Sequence, residues 1–267
     1  MIRLTRDRTK IPKAFQGPER VEKHRLLLEA RLAGTSLDNK FWKGKEHWKK
    51  AKEQLRTESC GKCAYCDSPA SAVTHADVEH YRPKDIYWWL AYCYDNYLYA
   101  CQICNQSYKS NKFPLAGAPL AEPPFAKTAA RDLAPDPLLQ ASVQAFLKAV
   151  EAEQAGLVNP YFEDPETVFA WDVDEDLKEV RLRAAHPSAA FRLQSAEECY
   201  GLNREELRRL RYQVYELLAG FRYFRDNPDL SAKDRKKAEQ MMKILAAAQQ
   251  PYAGMVRYFL AAWSILL

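Results

Sequence analysis

The chain reads as mainly α with a small α+β insert, and three observations lead to that class. Apolar residues recur at helical spacing in both flanks. Strand-like runs are few and short. Six of the seven cysteines fall between residues 60 and 104, five of them in closely spaced groups, which marks a small metal module. The 267 residues fit one or two domains and are enough for a core without disulfide staples. Hydrophobic residues at 47% and charged residues at 28% exclude a disordered chain and a membrane-embedded body. The apolar run Tyr258–Leu267 is far below the roughly 20 residues that span a bilayer. The charged start, Met1-Ile-Arg-Leu-Thr-Arg, lacks the apolar stretch of a signal peptide. The expectation is a cytoplasmic protein with no membrane partner.

Taken in order, the elements fall into three regions. Region 1–58 is basic and helical: an amphipathic helix is predicted over 19–33, on Val21, Leu26, Leu27, Leu28 and Leu32, with Gly34 as its stop. A second helix is predicted from Asp38 to about Glu58 on Phe41, Trp42, Trp48 and Leu55. Region 59–118 is the cysteine module. Region 119–267 opens with a proline-punctuated connection and a helix over 138–153. It continues with two strands, Thr167–Trp171 and Glu179–Arg183, around the acidic turn Asp172–Asp176. Helices then follow, notably 203–223, with Asn203 as N-cap, and 231–248, before Pro251 sets off a final one. Net charge is +5, but residues 1–58 alone carry 16 Lys/Arg against 8 Asp/Glu, whereas 119–186 carry 6 against 13. Residues 187–267 carry 13 against 9, and two such basic flanks suit a phosphate backbone, while solvated helix faces give the same counts.

The cysteines carry the strongest signal. Cys63-Ala-Tyr-Cys66 and Cys101-Gln-Ile-Cys104 are two Cys-x-x-Cys knuckles 34 residues apart. Together they supply the four thiolates of a closed tetrahedral Zn²⁺ site, which leaves no open position and is therefore structural. Cys60 forms an overlapping third knuckle with Cys63 and is read as a spare thiol; Cys93 and Cys199 lie outside the pattern.

Between and after the knuckles run Asp77-Val-Glu-His-Tyr-Arg-Pro83, Asp95-Asn-Tyr-Leu-Tyr-Ala100 and Asn105-Gln-Ser-Tyr-Lys109. Here the sequence resembles the HNH endonucleases over roughly residues 60–114. The resemblance implies a ββα-metal fold clamped by a four-cysteine zinc, with His80 as general base. It implies that Glu79 and Asn105 hold one Mg²⁺ (or Mn²⁺), that Asn96 fixes the loop carrying the base, and that Lys109 neutralises a phosphate. Glu stands where Asp is commoner, and Asn105 takes a position that can be His. The chemistry fits: phosphodiester hydrolysis needs an activated water, a cation for the departing oxygen and charge compensation. Each residue also has a plainer reading. His80 can be a satisfied core histidine, Glu79 a surface carboxylate, Asn96 a turn residue and Lys109 a solvated lysine; His75 has no motif position and is read as incidental. The aromatic residues Tyr81, Tyr87, Trp88, Trp89, Tyr92, Tyr94, Tyr97 and Tyr99 either stack on bases or pack the module core, the latter being favoured.

Lys112-Phe-Pro-Leu115, Asn159-Pro-Tyr-Phe-Glu-Asp-Pro165 and Leu202-Asn-Arg-x-x-Leu207 are further similar to the nuclease subunits of Septu and retron-associated anti-phage systems. That resemblance implies DNA as substrate, an ABC-type ATPase as protein partner, and helical flanks used for docking. The alternatives are a non-catalytic zinc-knuckle module that binds nucleic acid or protein, and a stand-alone restriction-type nuclease.

Overall fold

The computed structural model describes residues 1–70 and 76–266, so His75 lies outside the described residues. Among them, helices dominate and the strands form two separate two-stranded antiparallel sheets. Helix α1 (Gly17–Leu32) opens with Pro18 in its first turn, where a missing N–H costs nothing. Its buried side is not the leucine stripe alone. Leu27 and Leu28 are buried, but Leu26 and Leu32 are exposed, and Arg20, Lys23 and His24 turn inward. The cause is the connection packed over this face: Arg20 donates to the carbonyls of Ala134 and Arg131, and His24 Nδ1 bonds the Ala130 carbonyl at 3.0 Å.

The helix predicted over 38–58 is instead three short pieces. They are α2 (Asn39–Trp42), a 3₁₀ turn His47–Ala51, and α3 (Lys52–Glu58). Gly44 at φ +78° ends the first piece, since that backbone leaves the helical region. The apolar set survives the break, with Trp42, Trp48 and Leu55 all buried.

Strands β1 (Ala76–His80) and β2 (Tyr97–Cys101) pair antiparallel, with Glu79 opposite Leu98 and His80 opposite Tyr97. A seven-residue π-wound helix, Ile103–Lys109, follows directly; the Ser110 N–H reaches back five residues to the Asn105 carbonyl at 2.8 Å. All eight aromatic residues of the 81–99 run are buried, so they pack the core of the module.

Beyond it come α4 (Gln140–Val150), α5 (Pro165–Val168) and the hairpin β3 (Phe169–Asp174) with β4 (Glu179–Ala184). Then follow α6 (Ala190–Tyr200), α7 (Glu205–Asp226), α8 (Ala232–Ala246) and α9 (Ala253–Ala262). Asn203 does not cap α7. Its amide clamps β4 instead, accepting from the Leu182 N–H at 2.7 Å and donating to the Leu182 carbonyl at 2.8 Å, so α7 begins at Glu205. Gly201 is required where α6 stops: φ is +59°, and a Cβ there would sit 2.4 Å from the Tyr108 ring of the π-helix. Buried side chains from all three regions join one hydrophobic core.

Candidate active site and four-cysteine centre

Cys63 and Cys66 sit on a tight turn. The Asp67 N–H returns to the Cys63 carbonyl at 3.0 Å, and the Ala64 N–H bonds the Tyr99 carbonyl at 2.8 Å, tying the turn to β2. Cys101 ends β2 and Cys104 lies in the π-helix, so sheet pairing carries all four thiols to one point. Their sulfurs lie within 4.8 Å of one another, and Cys66 Sγ to Cys101 Sγ is 3.9 Å. Four sulfurs about 2.3 Å from a Zn²⁺ form a tetrahedron with edges of about 3.8 Å, so the donor set fits that ion. Cys60 is exposed and outside the cluster, while Cys93 and Cys199 are buried elsewhere.

Two arginines that the sequence reading passed over complete this centre. Arg204 Nη1 approaches Cys104 Sγ at 3.8 Å. Arg211 is 1% exposed, donates to the Leu202 carbonyl at 2.6 Å and stacks 4.7 Å from the Trp171 ring. Burial pushes its guanidinium down to about 10, and the nearby Cys66 is the largest influence opposing that shift. Four thiolates around a divalent ion carry a net double negative charge, which together with the nearby Asp67 balances a buried guanidinium that makes no salt bridge among the described residues. The available signal was the spacing of seven, two helical turns, which puts both arginines on one side of the helix start.

Glu79, His80 and Asn105 line one groove of about 470 Å³, together with Trp48, Lys49, Lys84 and Asn111. Two larger clefts, of about 540 and 670 Å³, lie elsewhere and contain none of these three. Alternation along a strand sends neighbouring side chains to opposite faces. The groove runs along the strand and past its end, so Asp77, Val78, Glu79 and His80 all line it.

His80 is 8% exposed, with its ring edge-on to Trp48 at 4.9 Å and to Tyr97 at 5.2 Å. Its Nε2 lies 3.0 Å from the Ala91 carbonyl, which can only accept, so Nε2 carries the proton and Nδ1 keeps its lone pair. Burial drives its pKa down to about 3, so the ring is neutral at ordinary pH. Burial also raises the Glu79 carboxyl, against the pull of Lys109. Glu79 Oε1 receives the Lys109 ammonium at 2.5 Å and the Tyr65 hydroxyl at 3.4 Å. The Asn105 amide is half-buried and makes no hydrogen bond with the described residues.

Lys109 is 0% exposed, and its ammonium also donates to the His80 carbonyl at 3.0 Å. It is therefore a strut between Glu79 and His80, with its charge turned inward by the buried carboxylate. Asn96 is equally buried. Its Oδ1 accepts from the Arg82 N–H at 2.8 Å, and its Nδ2 donates to the Arg82 carbonyl at 2.9 Å, joining both ends of the 82–96 loop that holds Ala91 against His80. Asn96→Ala leaves both Arg82 groups unpaired and is expected to cost about 2–4 kcal/mol. An unchanged urea midpoint would contradict this.

A second expectation concerns acid. His24 is held down to about 4, by burial first and then by Arg20. Both depressed histidines bind fewer protons folded than unfolded. Stability is therefore full above the ordinary histidine value near 6.5 and is lost as pH falls toward 4. The loss at pH 5 is about 2 kcal/mol for each histidine. Denaturant midpoints at pH 8 and pH 5 test this, and equal values would exclude it.

No family model matches the chain, and no solved structure matches it. Among the described residues, no helix is long and apolar enough to cross a membrane. Over 77 residues the chain is 36% identical to the Septu protein PtuB of Bacillus mycoides (strain KBAB4), an overlap of 24% of this chain and 26% of that protein. The chain thus spans about a quarter of the length of the curated relative it matches, a limited similarity to a Septu protein.

Proposed function

We propose that the protein is a metal-dependent HNH endonuclease that hydrolyses phosphodiester bonds in DNA, serving as an anti-phage effector beside an ABC-type ATPase. The observation that carries this reading is the groove in which a neutral histidine of fixed tautomer, a buried carboxylate and an uncommitted amide meet. His80 Nδ1 takes the proton of the attacking water, and the Ala91 carbonyl orients the ring for it. A base depressed to about 3 is weak in the empty groove. An anionic phosphate placed there favours the imidazolium and raises the pKa as the substrate binds. Glu79 and Asn105 offer the hard oxygen donors that Mg²⁺ takes alongside substrate oxygens and water. With Oε1 engaged by Lys109, Oε2 of Glu79 is the oxygen assigned to the ion. When bound, the ion stabilises the departing oxygen. Lys109 positions Glu79 and His80 without touching the phosphate. Tyr65, between Cys63 and Cys66, ties the four-cysteine centre to Glu79.

The defence assignment and the ATPase partner rest on the similarity to the Septu protein and on the short motifs outside the module. The test is conversion of supercoiled plasmid by the purified protein, with Mg²⁺ or Mn²⁺ and with EDTA, alone and with a Septu-type ATPase. Metal-dependent nicking in either case supports the reading. Absence of nicking by zinc-loaded protein in both would leave the non-catalytic binding module as the better one.

A further inference from the structure

Six lysines lie between residues 40 and 52: Lys40, Lys43, Lys45, Lys49, Lys50 and Lys52. Against them stands a single acid, Glu46, which approaches only Lys49, at 3.9 Å. The first five lysines are exposed. Sequence alone leaves such a run as a solvated face. The fold adds where the segment is anchored. Trp42 and Trp48 are buried while Lys40, Lys43, Lys45, Lys49 and Lys50 are exposed, on two short turns separated by Gly44. Trp48 packs on the His80 ring, Trp42 packs on Trp48 at 5.7 Å, and Lys84 on the groove lip lies 5.5 Å from the Trp42 ring. Asn39, Trp48 and Lys49 themselves line the groove.

We infer that this lysine segment is a phosphate track: it binds the backbone of a nucleic-acid strand running into the groove of Glu79, His80 and Asn105. The inference rests on the nuclease reading for what happens at the groove, but the track itself requires only binding. Like charges with one carboxylate among six repel one another, even with Lys45 bonded to the Phe41 carbonyl at 3.0 Å, and a run of phosphates relieves that repulsion while releasing its own counterions. Lysine is a point-charge donor on a flexible stem, suited to contact without base readout. Another basic cluster, Lys233, Arg235, Lys236 and Lys237 on α8, supplies no residue to the groove lining.

The experiment measures binding of fluorescent 30-residue duplex and single-stranded DNA to the His80→Ala protein across a salt series. Adding K43Q/K45Q/K50Q is expected to weaken binding at least tenfold at 50 mM salt. It should also flatten the log–log salt slope by about 2.7 for duplex, 0.9 for each lost phosphate contact, or about 2.1 for a single strand. The arginine triplet K43R/K45R/K50R should bind as the parent does, which separates charge from fold. Substituting Lys233, Lys236 and Lys237 with glutamine should leave the slope unchanged. An unchanged slope in the first triplet, a loss confined to the α8 triplet, or no binding of either probe at 50 mM salt would each overturn the track. Binding that maps to Lys43, Lys45 and Lys50, in a protein whose wild type never nicks DNA, would uphold the track while removing the nuclease reading.

Discussion

Serine in place of Cys66 or Cys101 is expected to unfold the middle of the protein, not merely to lower its activity. The two cysteines belong to different elements, the turn before β1 and the end of β2, and their sulfurs are 3.9 Å apart. A structural zinc contributes about 10–16 kcal/mol to folding in isolated fingers. An entire domain is commonly stable by only about 5–15 kcal/mol. Losing a fraction of the metal term is therefore comparable with the whole. A second cost is specific to this chain: Arg204 reaches Cys104 Sγ and the buried Arg211 lies in the field of Cys66, so an emptied centre removes much of what balances their charges and leaves Arg211 with Asp67 alone. A loss of about 4 kcal/mol corresponds to a fall in Tm of about 10 °C for a chain of this size. We expect at least that, together with loss of one zinc per chain by elemental analysis, and the same shift when the wild type is treated with a strong chelator. Cys60→Ser, at an exposed thiol outside the cluster, should change neither quantity. An unchanged Tm and metal content in Cys66→Ser would remove the zinc assignment. An effect confined to Cys60→Ser would mean that the ligand set had been wrongly drawn.

The ease with which this centre was read, compared with the rest of the fold, has a physical explanation. Thiolate pairs at a spacing of three can do few things in a chain without disulfide context, so Cys63, Cys66, Cys101 and Cys104 announce their cluster without tertiary information. The β3–β4 hairpin was visible in outline, because alternation and acidic residues are local signals, but Thr167 and Val168 belong to α5 and Asp172–Asp174 extend β3 into the expected turn. Asn203 was read as a cap for the same local reason, yet a strand edge 21 residues away claimed its amide. Gly44 at positive φ splits what periodicity joined over 38–58. Lys109 shows the limit most clearly. Its spacing from Asn105 was correct, but the direction of its ammonium depends on Glu79, which β1 delivers from the opposite side. Periodicity reports which face a residue shares; it does not report what approaches that face. The tautomer of His80 was out of reach for the same reason, since it is fixed by the carbonyl of Ala91, a residue with no side-chain chemistry to notice.

That carbonyl shapes the other large effect, the loss of cleavage on replacing His80. General bases contribute about 10²–10⁴ to a rate, and we expect His80→Ala to lower plasmid nicking by at least that factor. Alanine also opens a void between Trp48 and Tyr97, whose rings pack edge-on against the imidazole, and large-to-small changes in a core cost about 2–5 kcal/mol. A rate loss in that variant alone would confuse chemistry with packing. His80→Gln separates them, because its amide N–H can donate to the Ala91 carbonyl and fill most of the space but offers no basic nitrogen. The expectation is that glutamine restores most of the Tm and none of the rate. Added imidazole should recover part of the rate in the alanine variant, where there is room for it, and none in the glutamine variant. The pH profile gives an independent reading. A base held at about 3 in the empty groove and raised by bound phosphate places the acid limb of kcat/KM, which reports the free enzyme, below that of kcat. Coincident limbs near 6.5 would show that His80 is solvated and not held by Ala91. Full activity in His80→Gln would transfer the base role to another residue of the groove.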